Sequence, residues 1–196
     1  MGKNQKRNLK IVEDYDLYHM HMEKEKEVPE NFYVIKEKEN HPQSYAGSID
    51  VNCEVPYGKT ELQCEIREAS SYNYSFSYMT DMLKDRILAR LDVGNGTHRN
   101  RAPGIPLQLT SVPTPHYHYY REDGYFLAFP LDCVDYSSED AVKFDFYKGY
   151  SYLCNQLKFY GNGAKDLYFD FCPEGVLPFL DDVNDPNENV LFDEID

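Results

Sequence analysis

No tryptophan occurs in this chain, no lysine or arginine follows Lys165, and no apolar run approaches the ~20 residues that a membrane span needs. Each absence excludes something. The basic start MGKNQKRNLK has no apolar stretch behind it, so it does not read as a secretory signal, and the chain is expected to be cytoplasmic. The sequons at Asn73 and Asn95 then have no meaning as glycosylation sites. The five cysteines (Cys53, Cys64, Cys133, Cys154, Cys172) are odd in number and include no Cys-x-x-Cys pair. They read as reduced, mostly core thiols and not as a disulfide framework. No glycine-rich loop ends in Lys-Ser/Thr and no Gly-x-Ser-x-Gly elbow is present, which removes the P-loop and α/β-hydrolase chemistries.

The missing cations make the C-terminus uniformly acidic. Ten of the 34 acidic residues lie between Asp166 and Asp196, and the 24 that remain face all 20 bases. The net charge of -14 is therefore mainly a property of the tail. Direct binding of nucleic acid is disfavoured, because phosphate attachment needs cationic surface. A basic partner is favoured, with Asp181, Asp182, Asp185, Glu188, Asp193 and Glu194 as its contact residues.

The chain does hold enough for a packed core: 41% hydrophobic residues, with 18 tyrosines and 11 phenylalanines. Strand signals dominate the middle. SIDVNCEV and TELQCEIRE alternate apolar and polar residues around the turn Pro56-Tyr57-Gly58-Lys59 and predict an antiparallel hairpin. YNYSFSYM continues the period of two, and DRILARLDV follows it with Ile87, Ala89, Leu91 and Val93 on one side. GNGTHRNRAPGIP reads as a long loop. QLTSVPTPHYHYYRED and GYFLAFPLD predict a second hairpin around Glu122-Asp123-Gly124, with Pro113 and Pro115 making its start irregular or an edge. From Ser137 or Ser138, the residues Phe144, Tyr147, Leu153, Cys154 and Leu157 suit one amphipathic helix of four or five turns, weakened by Gly149. The expectation is an α+β fold: a mostly antiparallel sheet of about six or seven strands, one amphipathic helix packed on it, and an acidic C-terminal tail. A single domain over residues 1–178, loose over 1–10, would precede a separable tail over 179–196.

Histidines carry the chemistry. Residues two apart on a strand share a face with Cα atoms ~7 Å apart, so His116 and His118 project together. A pair alone is weak; His19 and His21 form another, with no third ligand nearby in sequence. His98 lies in the loop joining ARLDV to the strand of His116, and sequential strands are usually neighbours, so that loop can fold back over the pair. Asp92 or Cys133 could complete a tetrahedron. This mix of donors fits zinc better than magnesium or calcium.

RILARLDVGNGTHRN followed by TPHYHYYREDGYFLAFPL resembles a small family of proteins from phages and mobile elements of Gram-positive bacteria. Its pattern runs Arg-Leu-Asp, His-x-Asn, Pro-His-x-His-x-Tyr and then Glu. Here these fall on Arg90, Leu91, Asp92, His98, Asn100, Pro115, His116, His118, Tyr120 and Glu122, within residues 86 to 132. The resemblance implies a mobile-element setting and a joint role for the histidines; no activity comes with it. Two functions follow as expectations. The first is an acidic protein with a structural metal that binds and inhibits a basic nucleic-acid-handling protein, the first candidate being a type II CRISPR effector nuclease (Cas9-type), as an anti-CRISPR protein does. The second is a metal-dependent hydrolase or nuclease with Asp92 or Glu122 as base and Arg90, Arg99, Arg101 and Arg121 on the phosphate.

Overall fold

In the computed structural model, residues 5–39, 41–68, 72–132, 136–162 and 167–171 are described. Two short helices open the chain, α1 (Leu9–Glu13) and α2 (Tyr15–Glu23). Then come β1 (Lys26–Val28), β2 (Phe32–Val34), β3 (Lys36–Lys38), β4 (His41–Cys53), β5 (Thr60–Glu68), β6 (Asn73–Thr80) and β7 (Ile87–Val93). The loop that follows holds β8 (Thr97–Arg99), a 3₁₀ turn (Leu107–Leu109) and β9 (Ser111–Pro113). Next are β10 (His116–Tyr120), β11 (Phe126–Pro130), α3 (Tyr136–Phe144), α4 (Phe146–Gln156), β12 (Phe159–Gly161) and β13 (Phe169–Phe171).

The class is α+β with a large, mostly antiparallel sheet, as the alternation predicts. The sheet has nine strands and not six or seven, in the order β11-β10-β7-β6-β5-β4-β1-β12, with β3 also on β4. The two extra edges are too short to read from sequence: β1 and β12 pair in parallel over three residues. β2 with β13, and β8 with β9, form separate two-stranded pieces.

Period two sorts the two faces of the sheet. Cys64, Phe76, Leu91, Tyr117 and Phe129 stand in one cross-strand row. Leu62, Cys64, Ile66, Phe76, Tyr78 and Leu91 are wholly buried on this side. Here α4 and β13 pack, and Phe169 meets both Phe76 and Tyr150 at ring distances of 5.2 and 5.1 Å. Gly149 explains itself: the Tyr74 hydroxyl, donating to Val142 and Asp145 carbonyls, occupies the space of a β-carbon. On the other face the rows are polar. One runs Glu65, Ser75, Asp92, His116; the next runs Gln63, Ser77, Arg90, His118.

The single helix expected from Ser137 or Ser138 is two. Asp145 leaves helical geometry at φ -146°, and its carboxylate accepts from the Tyr147 and Lys148 amides, capping α4. A side chain able to satisfy orphan amides ends one helix and starts the next. The basic start is also not loose from residue 5 onward. Arg7 bridges to Tyr125, Asn8 caps α1, and the Asn8 amide donates to the Gly124 carbonyl at 2.8 Å. The charge-rich run EKEKE (residues 23–27) suggests a solvated helix face or a strand edge, but Lys26 within it is not solvated. It is fully buried, and its ammonium donates to the carbonyls of Met22, Lys24 and Leu157 at 2.7–3.0 Å. It thereby answers the free C-terminal carbonyls of two helices. Among the described residues no helix is long and apolar enough to cross a membrane. The acidic tail lies outside the described residues.

Candidate metal centre

β10 supplies two of the histidines by alternation, and the excursion from Gly94 to Pro113 supplies the third. The loop is held by Asn100. Its side-chain amide donates to Leu109 and Ala128 carbonyls at 2.7 and 2.8 Å, and its Oδ1 accepts from the Ala128 amide at 2.9 Å. Ala128 lies on the edge strand β11. Asn100 thus pairs with that edge as a further strand residue would, and the β8–β9 ribbon is laid across the polar face. His98, pairing with Val112 in that ribbon, lands on the strand pair.

The three imidazoles form one cluster. Ring centroids are 4.7 Å apart for His98–His118 and for His116–His118, and 5.8 Å for His98–His116. One nitrogen from each lies within 4.8 Å of the others. A tetrahedral zinc site with Zn–N of ~2.0–2.1 Å sets its donors about 3.3 Å apart, a difference that rotation of the rings can take up. His116 and His118 are each only 3% exposed. His98 Nε2 and both ring nitrogens of His118 are buried with no hydrogen-bond partner among the described residues. Buried polar atoms are nearly always satisfied, so orphaned nitrogens on His98 and His118, each ring offering one donor, suit a bound ion. His116 Nδ1 is 3.1 Å from the Pro113 carbonyl, which fixes that nitrogen as the donor and leaves Nε2 its lone pair.

Burial, more than any other influence, holds all three imidazoles below their ordinary pKa. Mutual repulsion adds to this at His98 and His116, while Asp92 opposes it at His118. They are therefore neutral near pH 7, the protonation state that binds metal. Asp92 is the cross-strand partner of His116. Its Oδ2 stands 3.2 Å from His118 Nε2, without hydrogen-bond alignment, and 3.8 Å from His116 Nε2. Its Oδ1 is held by Arg90 Nε and Nη2 at 2.7 and 2.6 Å. Burial would raise this carboxyl, but His118 and Arg90 together outweigh it and set it at about 2. The site therefore offers three neutral nitrogens and one anionic oxygen, a donor set able to hold a metal ion.

The structure brings together His98, His116 and His118, with Asp92 beside them. Cys133, the other fourth-ligand candidate, lies outside the described residues, as do Asp181, Asp182, Asp185, Glu188, Asp193 and Glu194. Glu122 is in the exposed β10–β11 turn, where its charge acts on Tyr15, and is not part of the cluster. Arg121 pairs with Asp123 in the same turn. His21 is a core histidine: Nδ1 and Nε2 meet the Val55 carbonyl and the Tyr78 hydroxyl at 2.6 Å each. His19 is exposed. Sequence reasoning missed what Asn100 does, although its place two residues after His98 was the available signal. No protein-family model, curated protein or solved structure matches the chain.

Proposed function

We propose that this is a zinc-stapled binding protein that blocks a basic nucleic-acid-handling protein, the first candidate being a type II CRISPR effector nuclease. The observation that carries the metal half is the set of orphaned ring nitrogens in a buried histidine triad. A zinc ion there joins the 94–113 loop to the sheet, as structural zinc does in small domains. The net charge of -14 supports the partner half, since acidic surface steers a protein toward a cationic groove made for phosphate. The mobile-element resemblance of residues 86 to 132 supports the same setting.

A second reading has its own support. Three histidines leave a fourth position, as in catalytic zinc sites, and Asp92 with Arg90 lies next to it. Burial of His116 and His118 weighs toward the structural reading, because substrate must reach a catalytic metal.

The test has three arms. Elemental analysis of untagged protein is expected to give close to one zinc per chain. A guide-loaded nuclease is expected to lose DNA cleavage in the presence of the protein and to be retained by it, less so as salt rises. The zinc-loaded protein alone is expected to leave nucleic acid intact. Unimpaired cleavage with no retained nuclease would remove the partner, and zinc-dependent degradation of nucleic acid would install the hydrolase reading.

A further inference from the structure

β10 has a second functional face. Tyr117 and Tyr119 project opposite to His116 and His118, because successive side chains alternate. On that side lies a groove of about 460 Å³, walled by Tyr15, Tyr119, Phe129 and Tyr152, with Glu23 and Asp132 as its carboxylates. Tyr119 stacks on Phe129 with ring centroids 4.3 Å apart and remains 37% exposed. Tyr117, 5.8 Å from the Tyr119 ring, is buried beside it. No lysine or arginine lines the groove. Its field is negative: after burial, Asp132 is the main cause that raises the Tyr119 hydroxyl pKa, and Glu23 contributes at Tyr117. Glu23 is bound by Lys158 at 2.6 Å, but both groups are about half exposed, and such surface pairs are weak enough for an entering cation to compete.

Aromatic faces beside carboxylates, one of them (Asp132) in no ion pair among the described residues, recognise a cation that also has an apolar stem. We propose that this groove receives the side chain of an arginine presented by a basic protein partner. Arginine fits better than lysine because its planar, weakly hydrated guanidinium stacks on a tyrosine face while donating to a carboxylate. Charge complementarity argues for this occupant: the chain carries -14, so a partner attracted to it is rich in cations. The inference rests on the basic-partner reading for the source of the arginine. The groove and its chemistry are independent of the metal, which lies on the other face of the strand.

The experiment is titration calorimetry of the full chain with an acetylated tri-arginine amide, and with its tri-citrulline counterpart, which keeps shape but not charge. Tri-arginine is expected to bind about tenfold tighter than tri-citrulline at low salt. Asp132→Asn and Tyr119→Ala are each expected to weaken it by roughly threefold to tenfold, and Tyr119→Phe, which keeps the ring face, by less than about twofold. If Tyr119→Ala fails to fold, the exposed Asp132→Asn decides the matter. Equal affinity for the two peptides, or tri-arginine affinity unchanged by Asp132→Asn and Tyr119→Ala, overturns the proposal. Repeating the nuclease pull-down with these variants separates the two readings. Tri-arginine bound without any retained nuclease removes that partner and leaves the groove standing. Retained nuclease indifferent to both substitutions removes the groove and leaves the partner standing.

Discussion

If the proposed zinc occupies the histidine cluster, removing it should cost this protein several kilocalories, and the amount can be worked from the site. On that proposal one ring nitrogen from each of His98, His116 and His118 loses its partner when the ion leaves. Each buried polar group without a partner costs about 1–3 kcal/mol. Seen from the other side of the same equilibrium, free zinc at 100 to 1,000 times its Kd stabilises the folded state by about 2.7–4.1 kcal/mol. For a chain of 196 residues, 1 kcal/mol moves the melting temperature by roughly 2–4 °C. Chelation of the purified protein should therefore lower the melting temperature by roughly 5–16 °C, and added zinc should restore it. His118→Ala supplies the control. It removes a central ligand and leaves the Asp92 carboxylate with Arg90 alone, so the variant should melt lower than the parent and respond to neither chelator nor zinc. Differential scanning calorimetry, run beside elemental analysis, measures both. A parent protein whose melting temperature ignores chelation, or a His118→Ala variant that still answers to zinc, would refute the reasoning.

Asn100→Ala removes two hydrogen bonds that tie the loop to β11 and one that braces the loop on Leu109, and should destabilise the fold by about 2–4 kcal/mol, with loss of the proposed zinc at a chelator concentration the parent withstands; an unchanged denaturant midpoint and zinc content would count against the clip. Lys26 has its pKa lowered from 10.5 to about 8, by burial first. Between pH 8 and 10 the unfolded chain binds the extra proton, so Lys26 makes stability rise with pH, by at most about 1.4 kcal/mol per unit. Above about pH 9 the sign reverses, because buried Cys64 and Cys154, and then buried Tyr18, Tyr57, Tyr74, Tyr78 and Tyr150, have raised pKa values and keep protons that the unfolded chain releases. Urea midpoints across pH 7–11 should pass through a maximum, and in Lys26→Met the rising limb should flatten; a rise of equal slope in the variant would assign it to another group. Gly149→Ala places a methyl on the Tyr74 hydroxyl and should cost about 1–3 kcal/mol by overpacking, against the gain that alanine brings in an ordinary helix. A more stable Gly149→Ala protein would show that α4 can shift away from β6.

Much of the site was legible because strands write their geometry at period two. Leu62, Cys64 and Ile66, then Tyr74, Phe76 and Tyr78, alternate without a slip, so the buried face of β5 and β6 follows from the sequence. The shared face of His116 and His118 follows in the same way, and His98 follows from the loop that must return to a neighbouring strand. Asp92 was legible only as a nearby residue, since its place opposite His116 depends on the β7–β10 register. The rest depends on meetings between distant segments. Nothing local distinguishes Lys26 from its neighbours in EKEKE; it is buried because two helix ends, near Met22 and Leu157, converge on it. Asp145 did carry a local signal, an acid able to cap, but the apolar spacing across it is nearly continuous and hid the break.

The pairing of β1 with β12 sets the order in which this chain can be completed. Lys26 to Val28 lie beside Phe159 to Gly161, more than 130 residues later. Arg7 and Asn8 wait in the same way for Tyr125 and Gly124. During synthesis β1 can pair with β4 once Asn52 and Cys53 are made, and the meander β4-β5-β6-β7 can form from neighbours in sequence, whereas β12 arrives last. Closing so long a loop is entropically slow, and until it closes the outer edge of β1 is open to other chains. Refolding from denaturant should accordingly show early protection of β5 and β6 amides and late protection of β12, with aggregation confined to the interval between them.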